Sequence, residues 1–207
     1  MKKTNSQNIW LKRQKKDIFI KLSKAKGYRS RAAYKLLEIN QKFKIINNKS
    51  KVIDLGASPG GWTQVVAELQ NNKNEIIAID KKPMDQIVNC KFIYDDIANF
   101  LKTNESLQTN YFDVILSDMA ANSSGHRFTD QINAEKIYYL AQEFALKYLA
   151  PKGNFVCKFF RNSLEKNIVQ EIKKNFNIVK TYKPNSSRKD SKEIYLIAIG
   201  FNNLHKY

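Results

Sequence analysis

The sequence predicts an α/β fold, a mainly parallel sheet with helices on both faces, and three observations predict it. Seven short apolar segments recur between residues 51 and 201. Most are separated by stretches of helical periodicity, the kind of crossover that parallel strands need. The first segment runs straight into a glycine-rich turn that opens the next helix, as in doubly wound sheets.

Taken in order, residues 1–28 carry nine Lys or Arg against one acid, Asp17, with Trp10, Ile18, Phe19 and Ile20 scattered among them. They read as a basic N-terminal arm that either contacts a polyanion or stays solvated. Residues 29–207 form a single domain, because no repeat or Pro/Gly-rich linker interrupts 29–202 and the length suits one core. From Ser30, a candidate N-cap, SRAAYKLLEINQKF sets Ala32, Leu36, Ile39 and Phe43 along one helical face. The strand candidates are KVIDL, EIIAID, CKFIY, YFDVILSD, NFVCKFF, FNIVKTY and EIYLIAIGF, with the clearest helices over 61–70, 131–149 and 163–175. Between the last two strands, KPNSSRKDSK (Lys183 to Lys192) is a polar, turn-rich loop.

Composition narrows the partners. Lys and Arg number 36 against 19 Asp and Glu, a net charge of +17, which points to a polyanion such as nucleic acid or an anionic surface. A genome bias toward Lys and Asn would raise the charge without any partner. No apolar run reaches the ~18 residues of a membrane span, and the Lys-rich start lacks a secretory signal's apolar stretch, so a cytoplasmic protein without a membrane partner is expected. Cys90 and Cys157 lie in separate apolar segments and read as two buried thiols rather than a disulfide or zinc framework.

The chemistry concentrates at strand ends. KVIDLGASPGGW places an acid near the end of the first strand and then glycines in GxxxGG spacing, which lets backbone approach a nucleotide-like ligand. That spacing is neither the GxGxxG dinucleotide fingerprint nor a P-loop, which disfavours a nicotinamide enzyme and phosphate binding. Asp80 ends the second strand, 20 residues after Gly60, where a carboxylate can accept from ribose hydroxyls. Asp96 follows the third strand and also suits an N-cap for IANFLK; with Asp54 these form a run of acids fitted to a ribose, an adenine and a cationic centre. Asp118 ends the fourth strand. Lys158 sits among apolar neighbours in the fifth, unusual for an ammonium unless it is paired, functional or snorkelling from an edge. Glu193 starts the last strand and reaches Asp118 and Lys158 only if that strand is antiparallel. On helical pattern alone, Lys35 reads as an ordinary exposed lysine.

These residues resemble one family. SRAAYKLLEI, DLGASPGGW, DKKPMD, LSDMAANSSG, KFF and SRKDSKEIYLIA are similar, in order, to the motifs of the FtsJ/RrmJ (RlmE-type) ribosomal RNA 2′-O-methyltransferases, over about residues 28–201. The resemblance implies a Rossmann-like methyltransferase fold, a seven-stranded, mostly parallel sheet with an antiparallel last strand. It implies a catalytic set of Lys35, Asp118, Lys158 and Glu193, and S-adenosyl-L-methionine bound by Gly60, Trp62, Asp80, Asp96 and Asp118, with no metal. Lys35 thereby becomes an expected active-site residue. The implied substrate is a uridine ribose in the A-loop of large-subunit rRNA within the large ribosomal subunit, modified by a monomer. Arg29, Arg31, Lys183, Arg188 and Lys189 are candidate phosphate contacts. DMAANSSG lacks a proline expected after the first alanine and Ser58 stands in the glycine loop, but neither departure removes a functional group. A tRNA ribose as substrate, or a non-catalytic ribosome-assembly role on the same fold, are the alternatives.

Overall fold

The computed structural model describes residues 17–103, 107–121, 124–161 and 165–202. Its elements run α1 Ile18–Lys26, α2 Ala33–Phe43, β1 Val52–Leu55, α3 Gly61–Leu69, β2 Ile76–Asp80, β3 Cys90–Tyr94, α4 Ile97–Thr103, β4 Phe112–Ser117, α5 Arg127–Tyr148, β5 Leu149–Phe160, α6 Glu165–Ile172, β6 Phe176–Tyr182 and β7 Glu193–Phe201. All seven expected strands join one sheet in the order β3-β2-β1-β4-β5-β7-β6. β7 is antiparallel to both neighbours and the other pairings are parallel.

Period-two alternation divides the core. Ile53, Leu55, Ile115, Phe155, Cys157 and Leu196 face the layer built by α4, α5 and α6. Val52, Val114, Leu116, Val156, Tyr195 and Ile197 face α2 and α3. Helices therefore cover both faces, and the strand order reverses between β1 and β4, which opens a crevice at the carboxyl ends of the strands. Cys157 is buried, with its thiol pushed up to about 12 by burial, whereas Cys90 is only half-buried.

Several local expectations are corrected. Ser30 does not cap α2, whose first cap position is Ala32. Instead the Ser30 side chain packs against Gly61 at the start of α3, where a Cβ would collide with its hydroxyl. Neighbouring residues clamp the same helix: Gln64 Oε1 accepts from the Arg29 N–H at 2.8 Å, and Gln64 Nε2 donates to the Gly27 carbonyl at 3.0 Å. The chain preceding α2 is thus held to α3 by side chains, and that contact, rather than a cap, sets the register of its start. α5 begins a turn earlier than its periodicity suggested, with Asp130 in its first turn accepting from the Ser124 N–H at 2.6 Å.

Within the basic arm, residues 18–26 form α1, capped by the Asp17 carboxylate on the Phe19 N–H at 3.1 Å and ended by Gly27 in the left-handed region. Phe19 and Tyr28 both pack against Tyr34 of α2. Residues 1–16, with Trp10, lie outside the described residues. Among the described residues, no helix is long and apolar enough to cross a membrane.

Candidate active site

Two charge pairs meet at the carboxyl edge of the sheet. Lys158, near the end of β5 and 8% exposed, donates to the Asp118 backbone carbonyl at 2.5 Å and lies 3.1 Å from its Oδ1. Lys35 of α2, equally buried, meets Glu193 at 2.9 Å. The antiparallel course of β7 makes this possible. Its register sets Tyr195 beside Lys158 and Glu193 beside Phe160 on β5, so the first residue of β7 arrives where the parallel strands end. All four sequence-predicted catalytic residues therefore converge. Lys35 is not the exposed lysine that helical spacing alone suggests, because α2 turns that side chain under β7.

Tyr195 ties the pairs together. Its hydroxyl donates to Asp118 Oδ1 at 2.6 Å, the Lys35 ammonium lies 5.7 Å from its ring centroid, and the Trp62 and Tyr195 ring centroids are 5.7 Å apart. Burial would raise the Asp118 carboxyl, but the charges of Lys158 and Lys35 and the Tyr195 and Lys158 hydrogen bonds outweigh it and hold Asp118 below its ordinary value. Burial and the Asp118 charge push the Tyr195 phenol well above its own, so it remains a donor. Sequence reasoning missed Tyr195, although its place two residues after Glu193 on one strand face was a usable signal.

A cavity of about 420 Å³ adjoins this edge and is lined by Gly56, Ser58, Asp80, Asp96, Asp118 and Met119 among others. Asp80 holds the glycine turn by accepting from the Ser58 N–H at 2.9 Å and the Lys82 N–H at 2.8 Å. Asp96 both faces the cavity and caps α4, accepting from the Ala98 N–H at 2.9 Å; that bond, with Lys81, keeps its carboxyl below the ordinary range. Gly56 takes a positive φ of 73° and lies so close to Met119 that a Cβ has no room. The first turn of α3 has no side-chain cap at Gly60, and its residues Gly61, Trp62 and Thr63 are buried.

Gly60 and Trp62 are not among the residues lining this cavity. Gly60, at φ 107°, lies against Ile87, Met84 and the Arg29 guanidinium, while the Trp62 indole is buried and donates to the Ala32 carbonyl at 2.8 Å. Asp54 also stands apart from it. This carboxyl is buried in mid-strand, accepts from the Thr63 hydroxyl at 2.7 Å, and is raised to about 7, chiefly by burial. It anchors α3 from beneath, so the run of acids expected to face a ligand reduces to Asp80, Asp96 and Asp118.

The five basic candidates differ in availability. Arg29 straps the glycine turn to the segment after β2, donating to the carbonyls of Pro59 at 3.3 Å, Asp85 at 2.7 Å and Gln86 at 2.8 Å. Arg31 pairs with Asp17 and donates to the Ser186 carbonyl; Arg188 lies 3.6 Å from the same Asp17 carboxylate. Lys183 closes its own loop through the carbonyls of Lys189 at 3.2 Å and Ser191 at 2.6 Å, and Lys189 is exposed. The loop is less solvated than its composition implied: Glu38 accepts from the Asn185 and Ser186 N–H groups, and Ser186 and Ser187 are buried. Arg31 and Arg188 nevertheless line a concavity of about 300 Å³ that ends on Lys35 and Glu193.

The fold and these motifs have known counterparts. The FtsJ-like methyltransferase family model matches residues 28–201. A protein named ribosomal RNA large subunit methyltransferase E from Anaplasma phagocytophilum is 44% identical over 97% of this chain and 83% of its own length. Its namesake from Rickettsia bellii is 44% identical over 96% and 90%. Among solved structures, one described as a ribosomal RNA methyltransferase of Plasmodium falciparum superposes with a TM-score of 0.74 at 36% identity, covering 84% of this chain and 98% of that one. A methyltransferase fold from Streptococcus mutans, solved with S-adenosylhomocysteine, is similar at a TM-score of 0.51 and 15% identity over 83% of this chain and 96% of that one, and shares the fold alone.

Proposed function

Since the chain belongs to the FtsJ-like methyltransferase family, we propose that it transfers a methyl group from S-adenosyl-L-methionine to the 2′-hydroxyl of a uridine in the A-loop of large-subunit rRNA, acting as a monomer on the assembled large subunit. The observation that carries the reading is the Lys158 ammonium gripped by Asp118 beside the Lys35–Glu193 pair, at the mouth of a cavity fitted to a nucleoside. The names of the similar proteins from Anaplasma and Rickettsia support rRNA as the substrate.

The cavity fits the cofactor on its own chemistry. A Cβ-free turn at Gly56 and carboxylates at successive strand ends are what a ribose and an adenine require. Asp80 would take the ribose hydroxyls, Asp96 the adenine side, and Asp118 the end nearest the methyl; Gly60 and Trp62 would contribute through the backbone of the turn. When bound, the cofactor supplies a methyl group already activated by its sulfonium. The enzyme's own work is then to align the ribose and to accept its proton.

Lys158 is the proton acceptor. Once its ammonium has released one proton to solvent water, its amine takes the 2′-hydroxyl proton as the ribose oxygen bonds to the methyl group, while the Asp118 carbonyl and carboxylate fix its direction. Asp118 stays ionised because Lys158, Lys35 and Tyr195 hold it so. Lys35 and Glu193 position the ribose, and the concavity beside them receives the flanking phosphate through Arg31 and Arg188. Recognition of the 2′-hydroxyl makes RNA, not DNA, the substrate.

The test is transfer of labelled methyl from S-adenosylmethionine to unmodified large subunits, naked rRNA and tRNA, with the product mapped by mass spectrometry. One 2′-O-methyluridine in large-subunit rRNA is the expected result. Label on tRNA alone would overturn the substrate and keep the chemistry. No transfer to any RNA, with S-adenosylhomocysteine still bound, would replace the enzyme with an assembly factor.

A further inference from the structure

A cavity of about 760 Å³ that has no part in the chemistry above opens between α5, the end of β5 and α6. It borders both working regions. Ala121 lines this cavity and the cofactor cavity alike, and Lys192, on its rim, immediately precedes Glu193. Its floor is apolar and partly aromatic, with Phe159 and Ile168 buried and Phe160 half-buried. Its rim carries the exposed cations Arg127, Arg161 and Lys192, with Arg161 in an ion pair with Glu165 at 3.5 Å. Two carboxylates also line it and are held by neutral donors: Asp130 accepts from the Ser124 N–H and hydroxyl, and Glu135 from Gln131.

We propose that this cavity receives one unstacked nucleobase of the substrate RNA, within one nucleotide of the acceptor ribose. The proposal rests on the reading of the chain as an RNA methyltransferase. Neighbouring residues in a strand face opposite ways, so Lys158 puts the catalytic amine on one side of the sheet edge and Phe159 puts the cavity floor on the other. A ribose held at Lys158 leaves its strand crossing that edge beside Lys192. Apolar and aromatic surfaces under a cationic rim are the means by which proteins hold splayed-out bases of single-stranded RNA, and the volume falls in the usual range of ligand pockets.

The experiment fills the cavity. Ala134, half-buried on its α5 wall and outside the catalytic set, is replaced in A134W, with A134L as a milder filling. RNA fragments spanning the modified nucleotide carry an abasic site at the acceptor or at either neighbour. Binding is read by fluorescence anisotropy in the presence of S-adenosylhomocysteine. We expect A134W to weaken binding of the intact fragment about tenfold, with cofactor affinity and Tm unchanged. One abasic position should weaken wild-type binding by a similar factor, and the two losses should not multiply. Wild-type affinity in both variants, or losses that multiply, would overturn the subsite while methylation by the wild type still stands. Loss of RNA binding in the variants of a wild type that methylates no RNA would keep the subsite and sink the enzyme. Should the wild type bind none of the fragments, the variants are compared with it on unmodified large subunits, where equal methyl transfer by all three overturns the subsite and a loss confined to the variants upholds it.

Discussion

Replacing Asp54 by Asn should make the protein's stability less sensitive to pH, and the size of the effect follows from where the carboxyl sits. Asp54 is 1% exposed and bonded to Thr63, with burial raising it from 3.8 to about 7. A folded value above the unfolded one means that the neutral acid favours folding. That contribution is fully present below the unfolded value of about 4 and is lost as pH rises through about 7. The whole difference corresponds to about 4 kcal/mol, of which roughly 3 kcal/mol falls between about pH 5 and about pH 8. This is a large share of a domain stability of about 5–15 kcal/mol. Asn keeps an acceptor for Thr63 and cannot ionise. Urea unfolding at both pH values should therefore show the wild type losing about 3 kcal/mol more than D54N on going to the higher pH. Parallel losses in the two proteins would refute the assignment of an ionisation cost to this carboxyl.

Other perturbations separate chemistry from scaffold. K158A should reduce single-turnover methyl transfer by about 100-fold or more while leaving the calorimetric affinity for S-adenosylhomocysteine intact. Y195F removes the phenol's donor to Asp118, so the Asp118 carboxyl should rise toward its ordinary value in a carbon-detected NMR titration of the side chain; an unmoved midpoint would exclude Tyr195 as a positioning residue. G56A forces a β-carbon into a left-handed position against Met119, and strain of about 1–2 kcal/mol should lower Tm by about 3–6 °C and weaken cofactor binding. R29A releases the strap across the glycine turn, and differential scanning fluorimetry should show a smaller stabilisation by S-adenosylhomocysteine than in the wild type.

The strands were legible because each is a short apolar run, and the central ones are buried on both faces; the residues alone made an antiparallel β7 only the condition for Glu193 to reach Asp118, and the family resemblance implied it. Lys158 stood out in sequence because an ammonium in an apolar strand demands a partner. Lys35 did not, since a lysine beside the apolar stripe of a helix is ordinarily exposed and only the ion pair with Glu193 of β7 distinguishes this one; the family motif supplied what periodicity lacked. Asp54 and Asp80 look equivalent in sequence, each an acid near the end of a strand. Their roles diverge because one position faces α3 in mid-strand and the other stands at the strand's last residue. Arg29 was equally opaque, as nothing local shows that its guanidinium spans to carbonyls more than 50 residues away.

Insertion of β7 between β5 and β6 also has a consequence for when the protein becomes competent. The sheet cannot be completed in the order in which the chain is made: β6 has no partner until residues 193–201 arrive, and the edge of β5 stays open until then. Non-local pairing of this kind is slow, and an open edge invites association with other chains. Until β7 is seated, Lys35 lacks Glu193 and Asp118 lacks Tyr195, so a partly folded chain can build the glycine turn, the first strands and the Lys158–Asp118 pair without completing the site. Competence is then the last event of folding, and a nascent or truncated chain ending before Glu193 is held inactive by its own topology.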